Sequence, residues 1–168
     1  KNHNLLLQIW RVLVTRYGEQ APRLVVIGQR GWDYEDVVAL LEQCEPLKGF
    51  VTEIATCSDG ELVTYLHHAQ ALLFPSFVEG YGMPLVEALA HGTPVIASDL
   101  AVFREMAQEI PEYLAPLDGN RWSELIIEYA QPNSERRLAQ LARMKNFNVP
   151  TWANHFAKVD ALLGQLEE

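Results

Sequence analysis

Residues 74–99 read F-P-S-F-V-E-G-Y-G-M-P-L-V-E-A-L-A-H-G-T-P-V-I-A-S-D, and this stretch narrows the fold more than any other. An apolar run, a glycine turn, a helix-forming segment and a second apolar run follow one another with almost no linker. A helix between two short apolar strands is a crossover connection, the kind that joins parallel strands of one sheet. The alternation continues along the chain. Asn2 to Tyr17 carries Leu5, Leu6, Ile9 and Leu13 on one helical stripe, and Arg23 to Gly28 (R-L-V-V-I-G) is a short strand ending at glycine. A helix over Asp33 to Cys44 and a strand over Val51 to Ala55 come next. Ser58 and Glu61 form a capping-box pattern that opens a helix running to His68. Ala71 to Pro75, Val95 to Ser98 and a short Tyr113-Leu114 segment supply further strands; helices broken at Pro132 and Pro150 follow. The expected fold class is α/β, a Rossmann-like, doubly wound parallel sheet.

Composition sets the outer bounds. A chain of 168 residues can bury one good core and is too short for two domains of normal size. With 49% hydrophobic and 21% charged residues it reads as a soluble globular protein. No apolar run reaches the length of a bilayer span, and no signal-peptide pattern opens the sequence. A net charge of -9 argues against duplex DNA or RNA as a ligand, since those require a basic footprint. A nucleotide remains compatible, because backbone and one or two cations can hold its few phosphates. Cys44 and Cys57 lack metal or redox spacing and read as buried reduced thiols of a cytosolic protein.

In open parallel sheets, ligands bind beyond the carboxyl ends of the strands. Three loops are placed there: Gly28 to Trp32, Ala55 to Asp59, and Ser76 to Met83. The first, G-Q-R-G-W, has two glycines and Arg30 but no G-x-G-x-x-G fingerprint, and an ordinary strand-to-helix turn explains it equally. The third carries more. Gly80, Tyr81 and Gly82 lead into a helix that Pro84 can open at its first position. Such a turn collects free N–H groups at the positive end of a helix dipole, which suits a phosphate. Glu79 and Glu87 stand on either side, eight positions apart, and carboxylates there suit sugar or ribose hydroxyls. With Met83 at or just before the N-cap, Glu87 falls on the first helical turn and leans back toward the ligand. Taken singly, Glu79 is an ordinary loop carboxylate and Glu87 an exposed first-turn acid; taken together they point to a nucleotide sugar. His67, His68 and His91 end helices, where a cation suits the dipole better than a metal explains them. Trp10, Trp122 and Trp152 read as packing residues, Trp32 as a lid over a base, and Glu167-Glu168 as a solvated tail.

The block E-G-Y-G-M-P-L-V-E, with F-P-S before it and E-A-L-A-H-G-T-P-V-I-A-S-D overlapping and following it, resembles the E-x(7)-E donor motif of the retaining GT-B glycosyltransferases of family 4. K-N-H-N-L-L, L-V-V-I-G-Q-R-G-W-D-Y-E-D, S-D-G-E-L and I-P-E-Y-L-A-P-L-D-G extend the likeness to its mannosyltransferase-like members. The resemblance implies that the chain is the C-terminal, donor-binding half of a GT-B fold. It implies that Lys1 neutralises the donor diphosphate and that Glu79 contacts the transferred sugar at the reacting centre. Gly80, Tyr81, Gly82, Met83, Pro84 and Leu85 match the turn against sugar and phosphate, with the Leu85 N–H among the phosphate donors. Glu87 matches the glutamate that accepts from the ribose hydroxyls. Ala55, Thr56, Cys57 and Ser58 match the loop lining the base, with Gly28 and Arg30 beside it; family members often carry glycine in place of Ala55.

The implied activity is retaining hexosyl transfer without a metal or other cofactor, the nucleotide sugar being a substrate and D-x-D being absent from the sequence. A GDP- or UDP-sugar is the implied partner, with GDP-mannose favoured, and the acceptor a glycan or lipid-linked oligosaccharide of cell-envelope polysaccharide synthesis. The implied setting is the cytoplasm, with peripheral association of the full-length protein at the inner face of a membrane. Residues 1–150 then form the donor domain and residues 151–168 a helix packing toward an N-terminal acceptor domain. No strand precedes the first helix, so the sheet should show a gap that another segment, a partner chain or a distortion compensates. Two rival readings remain: another GT-B enzyme such as a nucleotide-sugar epimerase, or a non-catalytic module binding a nucleotide sugar or a protein.

Overall fold

The computed structural model describes residues 1–31 and 35–166. Trp32, Asp33 and the Glu167-Glu168 tail, singled out in the sequence, lie outside the described residues. The chain alternates α1 (His3–Tyr17), β1 (Leu24–Ile27), α2 (Glu35–Gln43), β2 (Val51–Ile54), α3 (Asp59–His68), β3 (Leu72–Phe74) and α4 (Met83–Ala90). It continues with β4 (Val95–Ser98), α5 (Ala101–Ala107), β5 (Glu112–Leu114), α6 (Gly119–Ala130), α7 (Glu135–Met144) and α8 (Trp152–Leu166).

Most helix starts are set by a side-chain cap that takes up one of the free N–H groups of the first turn. Asn2 accepts from the Leu5 N–H at 3.3 Å, so α1 begins one residue later than the apolar stripe alone indicates. Ser58 and Glu61 form the reciprocal capping box of α3. Asp118 and Ser134 cap α6 and α7 one way only, accepting from the N–H groups of Arg121 and Arg137. α4 differs. Its N-cap is Gly82, in the left-handed region at φ +87°, with no side-chain cap.

All strand pairs are parallel. β1 pairs with β2, Leu24 opposite Val51, while β4 sits between β3 and β5, with Val95 opposite Leu72 and Ile96 opposite Glu112. Every residue of β4 is buried, and its side chains alternate between two cores, as strand geometry requires. Ile96 joins the cluster of α1, α6 and the β1–β2 side, with Leu7, Leu13, Trp10 and Trp122. Val95 and Ala97 join the cluster of α4 and α5, with Leu85, Leu89 and Phe103. Helices therefore cover both faces, the doubly wound arrangement.

The sheet is nevertheless divided. Among the described residues, β1–β2 and β3–β4–β5 form two sheets with no hydrogen-bonded pairing between them. Their connection runs through side chains: Val26 of β1 and Leu73 of β3 both pack against the cluster built on α1.

Two expectations need correction. Trp10 and Trp122 are packing residues, but Trp152 is 76% exposed, because α8 projects its side chains into solvent and Trp152 meets the rings of His155 and Phe156 on its own helix. Cys44 and Cys57 are free thiols but only half-buried, one at the end of α2 and the other in the loop before α3.

Candidate donor site

The loop between β3 and α4 leaves the sheet at its carboxyl end through Pro75 and Ser76, both buried. Beyond them Phe77, Val78 and Tyr81 are exposed, while Glu79 turns back. Its Oε1 accepts two hydrogen bonds, one from Lys1 Nζ and one from Ser76 Oγ at 2.6 Å. Oε2 makes none among the described residues. Burial acts to raise the Glu79 pKa, but the hydrogen bonds from Lys1 and Ser76 outweigh it and hold the carboxyl below its usual range. Glu79 is therefore an anion at neutral pH.

Lys1 is placed by more than its partner carboxylate. Its ammonium lies 4.2 Å from the centroid of the Phe74 ring, a cation–π contact. Phe74 stacks on Phe103 at 5.0 Å between centroids, and Phe103 in turn lies under Gly82. A Cβ at Gly82 would stand 2.6 Å from Phe103 Cε1, so glycine there meets two demands at once, a left-handed backbone and close contact with a ring. The N-terminus of α1 is fastened by Asn2, whose Nδ2 donates to the Pro116 carbonyl at 2.9 Å.

The glycine turn presents the N–H groups of Gly80, Tyr81, Gly82 and Met83 without hydrogen-bond partners among the described residues. Leu85 does not join them. Its N–H donates to the Gly82 carbonyl at 3.0 Å, because the helix opens at Gly82 with a tight turn. The same start displaces two other expectations. Met83 takes the first helical position and Pro84 the second, so Glu87 lies on the second turn of α4 rather than the first. Its carboxylate is half-buried and makes no bond or ion pair among the described residues.

The other two loops are different in kind. Gly28 has φ +139° and open space around it, and its N–H donates to the Ile54 carbonyl. Arg30 is held by Glu53 of β2, Nη2 to Oε2 at 2.7 Å with Nε alongside, and by Glu42 of α2 at 3.1 Å. Those carboxylates raise its already high pKa. An open cleft of about 430 Å³ runs beside it, lined by Arg30, Glu35, Val38 and Glu42 among others; neither Glu79 nor Glu87 lines it. In the loop after β2, Ala55 and Thr56 are exposed and carry no side-chain hydrogen bond. Cys57 Sγ donates weakly to the Ser58 carbonyl, and partial burial with the Glu61 and Asp59 carboxylates nearby pushes its thiol pKa up. Ser58 is absorbed by capping, its Oγ donating to Glu61 Oε2 at 2.6 Å.

Of the residues named from sequence, the structure thus joins Lys1 to Glu79 beside an unsatisfied N–H turn. Sequence reasoning missed Ser76, Phe74 and Phe103. Ser76 had a visible signal, since S-x-x-E is the spacing at which a serine and a glutamate reach one another. The two phenylalanines had none, because their contact joins α5 to β3.

A family described as Glycosyl transferases group 1 matches residues 1–117. O-antigen chain mannosyltransferase B of Escherichia coli is 30% identical over 157 residues, which cover 92% of this chain and 40% of that protein. Among solved structures, TarM superposes with a TM-score of 0.70 at 15% identity, covering 94% of this chain and 32% of TarM. WaaG, a glycosyltransferase involved in lipopolysaccharide biosynthesis, gives 0.69 at 20% identity, covering 86% of this chain and 38% of its own. The chain spans well under half the length of each of these relatives.

Proposed function

We propose, from the premise that this chain belongs to the glycosyl transferases group 1 family, that it binds the nucleotide-sugar donor of a retaining transfer of the family 4, E-x(7)-E type. The observation that carries the reading is the Lys1–Glu79 pair set beside the free N–H groups of the Gly80–Met83 turn. An anion and a cation side by side match the two charges that develop when an anomeric C–O bond to a diphosphate breaks. Negative charge grows on the leaving diphosphate, where fixed N–H groups, the α4 N-terminus and Lys1 would receive it, as donors do in an oxyanion hole. Positive character grows on the sugar, where Glu79 would orient the ring and favour the cation. In this proposal the acceptor hydroxyl attacks from the face of the leaving group and passes its proton to the departing phosphate oxygen, and Glu79 forms no covalent bond. Lys1 and the backbone supply the positive charge, so we expect transfer to withstand EDTA.

Glu87 is assigned to the ribose hydroxyls, and the Ala55–Ser58 loop to the base side. The likeness to a mannosyltransferase favours GDP-mannose over UDP-glucose. We assign the acceptor, a glycan or lipid-linked oligosaccharide, to a separate domain, since the chain spans 40% of that relative. The exposed apolar face of α8, with Phe156, Leu162 and Leu163, is assigned to packing against that domain. Among the described residues no helix is long and apolar enough to cross a membrane. The family likeness is the ground on which we propose a cytoplasmic setting, with peripheral association of the full-length protein at the inner face of a membrane.

Titration of the intact protein with GDP, UDP, ADP, GDP-mannose and UDP-glucose tests the reading, followed by transfer assays of Glu79→Ala. Donor binding that survives in Glu79→Ala while transfer is lost is the expected result. Unchanged transfer by that variant sinks the assignment, and absence of any nucleotide binding favours a protein-interaction module. A free, isomerised nucleotide sugar as product would instead mark an epimerase.

A further inference from the structure

The sequence contains S-x-x-E at Ser58–Glu61 and at Ser76–Glu79, and in both the serine Oγ donates to the glutamate carboxylate at 2.6 Å. The first pair is spent on a helix start. Ser58 is the N-cap of α3, and its N–H and Oγ both engage Glu61. The second pair starts nothing. The next helix opens only at Met83, with Gly82 as its cap, so Ser76 satisfies no helical N–H. Ser76 is fully buried, and its hydroxyl bonds to Glu79 alone among the described residues. Such a hydrogen bond from a buried hydroxyl to a carboxylate is short, charge-assisted and directional. Its job is therefore local to Glu79.

The two donors to Glu79 are unlike in their freedom. Lys1 has four side-chain torsions and is 44% exposed, whereas Ser76 has one torsion and no exposure. Both donate to Oε1, which leaves Oε2 as the open edge of the carboxylate. A diphosphate carries more negative charge than Glu79 and would draw the mobile ammonium toward itself. Only one of the two donors can then stay with the carboxylate.

We propose that Ser76 is a positioning residue for Glu79: the buried hydroxyl holds the Oε1 edge fixed when a donor diphosphate takes Lys1, so that Oε2 remains directed at the sugar. This rests on the donor-site reading above and deepens it. Lys1 then serves two partners in turn, Glu79 in the empty site and phosphate in the filled one, while Ser76 serves Glu79 in both.

The test uses the intact protein, with nucleotide release from whichever of GDP-mannose and UDP-glucose binds as the readout. Ser76→Ala removes one oxygen and adds no volume. Its expected effect is a kcat about ten- to a hundredfold lower, from a carboxylate no longer held in register, with donor KM and Kd within about twofold of wild type. Ser76→Thr, which keeps the hydroxyl, is expected to recover most of the loss. In a Glu79→Ala background, Ser76→Ala is expected to cost nothing further, since its action runs through that carboxylate. Wild-type kcat in Ser76→Ala, equal loss of donor binding and turnover, or full additivity with Glu79→Ala would each overturn the proposal. If wild-type protein binds no nucleotide sugar, the donor-site reading itself falls; if it binds and turns over normally in Ser76→Ala, only the role of Ser76 falls.

Discussion

The loops after β1 and after β3 leave parallel strands at the same kind of position, and both pair glycines with a charged residue. Their charged side chains end in opposite states. After β1, the Gly28 N–H bonds to Ile54, and the Arg30 side chain is paired with Glu53 and Glu42. After β3, the N–H groups of Gly80 to Met83 have no partners among the described residues, and Glu79 keeps one oxygen open. Unpartnered N–H groups at the start of a helix, beside a half-open carboxylate, form a cluster ready to receive an anion. Topology makes both loops eligible. The partners of their charged side chains separate them.

The sharpest way to break that comparison is to put a methyl group on one glycine of each loop. Gly82→Ala forces a Cβ to within 2.6 Å of Phe103 Cε1 at a φ of +87°. Relief requires the turn to move, or Phe103 to move and disturb Phe74 beneath Lys1. The expected result is a stability loss of about 1–3 kcal/mol from the backbone strain alone, and about hundredfold weaker donor binding as the N–H groups lose their aim. Gly28→Ala at φ +139° carries similar backbone strain but meets no atom within 4 Å. Donor affinity there should stay within about threefold of wild type. Thermal unfolding and calorimetric titration with GDP-mannose and UDP-glucose measure both; equal losses of affinity would erase the distinction between the loops.

A smaller effect is expected at Glu87. The carboxylate has no partner among the described residues, so removing it orphans nothing in the protein and the cost falls on the ligand. Glu87→Ala should weaken nucleoside diphosphate binding about tenfold, the worth of one good hydrogen bond to a charged group. The loss should vanish with a 2′,3′-dideoxy analogue, which has no hydroxyls to offer. A loss of the same size with both nucleotides would remove Glu87 from the ribose and leave it as a surface acid of α4.

These contrasts show which parts of the molecule could be read from the sequence. Strands and helices were legible because each announces itself locally: the apolar run Val95 to Ser98, the cap at Ser58, the breaks at Pro132 and Pro150. The start of α4 was misplaced by one residue because Gly82 caps by conformation, not by a side chain, and the left-handed turn has no polar signature. That single residue moved Glu87 from the first turn to the second and tied up the Leu85 N–H. The family likeness placed Lys1 and Glu79 at one donor, but their ion pair was not expected, since it joins residues 78 positions apart. The stack of Phe103 on Phe74 was invisible, because any two buried rings look alike until the fold brings them together. Trp152 was misread for the converse reason: an amphipathic pattern says which face is apolar, not whether anything covers it.

The smallest expected effect is also the one that tests the negative half of the comparison. Arg30 is the obvious cation near a candidate nucleotide, yet it is already engaged in two ion pairs, Nη2 on Glu53 at 2.7 Å and Nη1 on Glu42 at 3.1 Å. To reach a phosphate it would have to leave two carboxylates, and the ligand would gain one contact at the expense of two. Surface pairs of this kind contribute little to stability on their own. Arg30→Gln should therefore leave donor affinity within about twofold and lower the thermal midpoint only slightly, because Arg30 and Glu42 are open to water, although Glu53 is only 17% exposed. Lys1→Gln, in the loop that keeps its capacity, should weaken diphosphate binding by at least about tenfold, and by more at low salt than at high. If Arg30→Gln costs as much as Lys1→Gln, then Arg30 does abandon its carboxylates on binding. In that event the loop after β1 is a latent half of the site, and the pairing of its arginine in the empty protein ceases to tell the two loops apart.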